Sequence, residues 1–133
     1  MSEGKKIKVV LLEPGKLART AEIGTSIEDL QNAVDGLIEP FYPFEEQVCI
    51  VCNDEGKING MLPNRSVKNK DGVMVDFIFG PAFICDCRGE SFDSLSDEQI
   101  ARYTKMFRYP EHLARLNGKL IGIPFNPQRE HER

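Results

Sequence analysis

Four short β-rich apolar runs dominate this chain: residues 7–12, 48–52, 73–79 and 82–85. Turn chemistry interrupts them, with Glu13-Pro14-Gly15-Lys16 after the first, Asn53-Asp54-Glu55-Gly56-Lys57 after the second and Gly80-Pro81 between the last two. Proline presets φ and glycine accepts positive φ, so these segments favour chain reversal. Apolar runs without strict alternation are what strands covered on both faces require. Few helical stretches separate them. The pattern therefore predicts an α+β domain built on a mostly antiparallel sheet of about five or six strands, not a doubly wound parallel sheet.

The remaining segments fill in that frame. Residues 17–23 alternate loosely and read as a hairpin strand returning along the first. Thr25 and Glu28 have capping-box spacing. Ile27, Leu30, Ala33 and Val34 then share one face of an N-terminal helix over 26–35, which Gly36 ends in the left-handed C′ position. Residues 37–42 read as an edge strand broken at Pro40 and stopped by Pro43. Ile58 to Leu62 is a candidate hairpin partner for the 48–52 run, and the polar stretch from Pro63 to Asp71 reads as a surface loop. Ser96 and Gln99 form a second capping box, followed by a buried stripe of Ile100, Tyr103, Thr104 and Phe107. Pro110 is placed to start a further helix, His112 to Leu116, closed by Gly118. These C-terminal helices are expected to pack on the sheet with the N-terminal one. Residues 1–120 make one domain and 121–133 a C-terminal tail.

Composition narrows the class. A length of 133 residues suits one domain. Seventeen basic against 21 acidic residues, net −4, argue against a strongly basic nucleic-acid binder. No run approaches the roughly 18 apolar residues of a membrane span. Lys5, Lys6 and Lys8 precede an apolar run, but Glu13-Pro14-Gly15 ends it without a small-residue cleavage site, so a cytoplasmic setting is expected. Charge is uneven, with net −8 over residues 1–100 and net +4 over 101–133. A solvated helix face is the ordinary meaning of that difference; docking of an acidic partner, or of a second copy, is the alternative. Cys49, Cys52, Cys85 and Cys87 read as buried reduced thiols. A four-thiolate zinc site is disfavoured, because Cys49 and Cys52, three apart on a strand, point to opposite faces. Neither a metal nor a cofactor is expected.

Catalytic signatures are missing. There is no phosphate loop, no G-x-G-x-x-G, no H-E-x-x-H and no G-x-S-x-G, and the only histidines are His112 and His131. No catalytic residue is assigned. Glu45, Glu46, Asp54 and Glu55 leave room for a hydrolase only if two or more converge near Arg65 in a concave site. Three loop clusters suit binding instead. Tyr42 and Phe44 offer aromatic faces to a planar ligand, or simply tuck a strand end into the core. Asn53 and Lys57 flank a turn able to meet an anion. Asn64 and Arg65 follow a backbone-fixing proline, and a guanidinium so placed calls for a specific acceptor, a carboxylate of this chain or the anionic group of a ligand.

These clusters carry a family likeness. LLEPGK (11–16), YPF (42–44), VCNDEGK (51–57), LPNR (62–65) and SLSDEQIARY (94–103) resemble a family of small bacterial, phage and mobile-element proteins known only as a domain of unknown function. The resemblance spans roughly residues 5–110 and implies a genomic setting, not a mechanism. With the charge asymmetry and the missing catalytic motifs, it points to a non-enzymatic accessory protein that binds a host macromolecule. The alternative is a protein that binds or sequesters a nucleotide or other small anionic ligand.

Overall fold

The computed structural model describes residues 5–128. Its elements run β1 (Lys6–Leu12), β2 (Arg19–Gly24), α1 (Ile27–Val34), β3 (Ile38–Phe41), β4 (Val48–Asn53) and β5 (Pro63–Lys68). Then follow β6 (Met74–Phe79), β7 (Ala82–Asp86), α2 (Asp97–Met106), β8 (Glu111–Leu116) and β9 (Lys119–Pro124). Five strands form one sheet in the order β2-β1-β7-β4-β3, every neighbouring pair antiparallel. This is the expected α+β class. Two further hairpins, β5–β6 and β8–β9, stand outside that sheet.

Both faces of the sheet are covered at its centre, which is why strands β4 and β7 lack a polar face. Strand alternation sends Ile7, Val9, Cys49, Val51, Phe83 and Cys85 to one side, where Leu30 and Val34 of α1 close over them. Val10, Leu12, Val48, Ile50 and Ile84 face the other side, against Tyr103 of α2, Phe107 just beyond it, and Val67 and Ile78 of the β5–β6 hairpin. Each Val, Leu, Ile or Phe among them contributes about 1.5–3 kcal/mol on burial. The core is therefore two apolar layers divided by one sheet. No helix among the described residues is long and apolar enough to cross a membrane.

Several local expectations shift. The N-cap of α1 is Ser26, not Thr25; its hydroxyl accepts from the Asp29 amide at 3.1 Å. Asp35 takes the left-handed cap conformation (φ 60°), one residue before Gly36. Gly36 is needed for a different reason: a Cβ there would lie 2.6 Å from the Asn53 side-chain nitrogen. Residues 58–62 form turns and not a strand paired with β4. The predicted helix at 112–116 is strand β8, and residues 121–124, expected to begin the C-terminal tail, belong to β9. Asn117 (φ 51°) and Gly118 (φ 79°) supply the two positive φ values of a tight hairpin turn, so Gly118 turns a hairpin instead of ending a helix. Residues 129–133 of the expected tail lie outside the described residues.

Candidate functional site

The stretch from Pro63 to Asp71 is where structure and sequence differ most. Residues 63–68 are strand β5, not a surface loop, and Asn64 and Arg65 are 0% and 1% exposed. Polar residues are tolerated there because the chain itself satisfies them. The Arg65 Nε donates to the Phe107 carbonyl at 2.6 Å. Its Nη1 donates to the Glu13 carbonyl (3.2 Å) and to Asn64 Oδ1 (2.5 Å), and its Nη2 to the carbonyls of Lys16 (2.6 Å) and Arg108 (3.4 Å). The acceptors are thus four backbone carbonyls and a neighbouring amide, not the carboxylate or ligand anion expected. All five guanidinium donors are engaged. Burial lowers its pKa to about 10 while the Glu111 carboxylate pulls the other way, so the group stays charged at neutral pH. Asn64 Nδ2 in turn donates to the carbonyls of Leu12 (2.9 Å) and Gly80 (2.8 Å).

Beside this knot opens a cleft of about 740 Å³, within the range of ligand sites. One wall is α2 with Arg102, Tyr103 and Met106; another is the Pro43–Glu46 segment; the third is β5 with the turn that carries Asn69, Lys70 and Gly72. Aromatic packing shapes its floor, with the Phe44 ring 4.7 Å from Tyr103 and 6.2 Å from Phe107. Glu111 borders the cleft and accepts from the Ser66 amide at 2.9 Å, whereas the buried Ser66 hydroxyl has no partner. Lys68 and Lys70 stand exposed on the rim and form no ion pair among the described residues.

A polar network locks the α2 wall. Ser96 Oγ accepts from the Gln99 amide (3.1 Å) while Gln99 Oε1 accepts from the Ser96 amide (2.9 Å), the expected capping box. The same Gln99 donates through Nε2 to Glu46 Oε1 at 2.9 Å. Arg102 and the Tyr103 hydroxyl both donate to Glu46 Oε2. Gln99, Arg102 and Tyr103 share a helix face at i, i+3 and i+4, a spacing readable in the sequence once the acceptor is known. Burial alone would raise the Glu46 pKa, but the bonds from Tyr103, Gln99 and Arg102 outweigh it and hold the carboxylate below its ordinary value. Burial and the bond to Glu46 push the Tyr103 hydroxyl up.

A carboxyl group with a depressed folded pKa stabilises the fold above its unfolded value of 4.5 and loses that contribution as pH falls through the folded pKa. Urea midpoints of the natural chain should therefore drop on acidification below 4.5 more steeply than those of Glu46→Gln. With Glu46 about a third exposed, solvent screening keeps the difference at neutral pH near 1 kcal/mol. Parallel pH profiles would remove Glu46 from the network.

The candidate binding residues do not converge. Phe44 and Arg65 border the cleft just described, the latter with its donors already taken. Asn53 and Lys57 line a separate hollow of about 380 Å³, where Lys57 pairs with Asp76 at 2.9 Å. Asn53 is also internally bonded: its Nδ2 donates to the carbonyls of Val34 (3.0 Å) and Asp35 (3.1 Å), and its Oδ1 accepts from the Glu55 amide (2.8 Å). Tyr42 is exposed and Asn64 buried, and neither lines either hollow. Glu45 and Glu46 do meet Arg65 at one cleft, but a carboxylate held ionised by three donors is not poised as a general acid. Met106, Lys68, Lys70 and Glu111 were not singled out by sequence, having no motif to mark them. Among the described residues no group of three or more His, Cys, Asp or Glu side chains is arranged to hold a metal ion.

No curated protein and no solved structure matches this chain. Residues 7–108, a span that includes the α2 wall, the Glu46 network and the Arg65 knot, match the family described as Domain of unknown function (DUF3846), and the chain belongs to that family.

Proposed function

We propose that this is a non-enzymatic accessory protein of a phage or mobile element, and that it captures a host macromolecule in the cleft between α2 and β5. The cleft itself carries the reading. Its floor is aromatic, and the charged groups of Arg65 and Glu46 are committed to internal bonds. What it offers outward is apolar surface from Met106, 57% exposed, and the charges of Lys68, Lys70 and the single carboxylate of Glu45. An apolar anchor with a polar rim is the arrangement that binding surfaces use.

The test is affinity capture from a bacterial host with the tagged full chain and with Met106→Glu. An exposed substitution of this kind stays within about 0.5 kcal/mol of the parent stability. The expected result is a host protein recovered with the natural chain and lost with Met106→Glu at unchanged melting temperature. Equal recovery with both, or repeated recovery of nothing, would overturn the reading.

A second reading rests on the lysine pair and the cleft's size: a small anionic ligand, such as a nucleotide, with its charge against Lys68 and Lys70. A thermal-shift series separates the two, because a ligand at 100 times its Kd adds about 2.7 kcal/mol. That gain should shrink in the Lys68→Glu, Lys70→Glu double variant. Nucleotides that leave the melting temperature unmoved would remove this reading.

A further inference from the structure

Three of the four cysteines, remote from the cleft floor, come together on the α1 side of the sheet. Cys49 and Cys85 are direct partners in the β4–β7 register, and their sulfurs lie 3.7 Å apart. Both are fully buried in the apolar layer beneath α1, while Cys87, two residues beyond Cys85 on the same side, packs at its margin and is partly exposed. Cys52 is excluded, because it packs against the opposite layer. Sequence pairs these residues as CIVC and CDC; the sheet pairs them across strands.

We propose that Cys49, Cys85 and Cys87 form an oxidative modification site, in which a small peroxide entering at Cys87 leaves a disulfide between Cys49 and Cys85. Direct opposition on neighbouring strands meets the main geometric demand, since a disulfide needs two side chains already facing each other at close range. The steps balance. The Cys87 thiol takes one oxygen from the peroxide, becoming a sulfenic acid and releasing an alcohol or water. The Cys49 thiolate attacks that sulfur and expels hydroxide, which takes up the proton Cys49 released and leaves as water, giving a Cys49–Cys87 disulfide. Cys85, whose thiol is held protonated by the bond to Cys49 and by burial, then attacks the Cys49 sulfur and passes its proton to the departing Cys87 sulfur. The net change is two thiols and one peroxide to one disulfide, with two oxygens leaving as water or alcohol.

Charge placement supports the assigned order. Hydrogen bonding from Cys85 and from Cys87 lowers the Cys49 thiol's pKa against the opposing effect of burial, so Cys49 ionises first and serves as the attacking thiolate. Burial raises Cys87 to about 11, which makes it a slow entry point and separates this site from a dedicated peroxide-consuming centre.

The experiment uses the full chain, exposed to hydrogen peroxide, alkylated, digested and analysed by mass spectrometry with and without prior reduction. Before alkylation the expected product is 2 Da lighter than the reduced chain; after it, Cys52 and Cys87 are the two alkylated thiols and a reducible link joins Cys49 to Cys85. Cys87→Ser, at the margin of the layer, should fold normally and form that link at least about tenfold more slowly. Accumulation of sulfinic acid at Cys87 without any link would overturn the proposal. Link formation in Cys87→Ser at the parent rate would overturn the assigned entry.

Discussion

Arg65→Lys is expected to lower the stability of the fold by about 3 kcal/mol, and Arg65→Met by about 5 kcal/mol or more. The estimate comes from the acceptors left behind. Four of the five donors in a rigid fork join β5 to the β1–β2 turn through Glu13 and Lys16, and to the end of α2 through Phe107 and Arg108. A lysine has three donors at one point and cannot reach both sets. Each buried carbonyl that loses its partner costs about 1–3 kcal/mol. Methionine keeps the bulk and removes every donor. Against a total of about 5–15 kcal/mol, the second variant would be partly unfolded under ordinary conditions. Urea midpoints at neutral pH measure both losses. A midpoint that does not move in Arg65→Lys would mean the guanidinium does not tie these layers together.

Asn53→Ala should cost about 2–3 kcal/mol, and Asn53→Asp more at neutral pH. Asn53 closes the C-terminus of α1 from the end of β4, donating to two terminal carbonyls of a helix whose last turn has no basic residue. Alanine orphans those carbonyls and the Glu55 amide. A carboxylate would instead face two carbonyl oxygens at the negative end of the helix dipole. Its folded pKa would then lie above the unfolded one, so Asn53→Asp should recover stability relative to the parent as pH falls and the introduced group protonates into a donor. That trend is opposite in sign to the one Glu46 gives the natural chain. Urea midpoints on both sides of the carboxylate range would show it. Equal penalties for Asn53→Asp at all pH values would place that side chain in water, away from the helix end.

How far residue patterns reach is clear from individual elements. The runs at 7–12, 48–52, 73–79 and 82–85 became β1, β4, β6 and β7 because dense β-branched and aromatic sequence has no good alternative to a covered strand. Ser96 and Gln99 formed their capping box, since both halves of that motif are local. The hairpin at 111–124 was also legible in principle, through Asn117-Gly118, yet the preceding proline and the helix-forming HLAR stretch obscured it.

What composition and periodicity decided about this protein is its class: an antiparallel sheet with apolar layers on both sides. Tertiary structure alone decided the fate of its polar residues. Asn53, Asn64 and Arg65 read as recognition groups because polarity in a turn-rich sequence usually means contact with solvent or ligand. In the fold they bind backbone carbonyls far along the chain, Arg65 reaching Lys16 and Phe107. Met106, Lys68 and Lys70 became the outward face of the cleft by being left over when the internal bonds were made. A polar side chain announces in sequence that it needs partners. Whether water, a ligand or a distant carbonyl meets that need depends on which strands and turns the collapsed chain brings together.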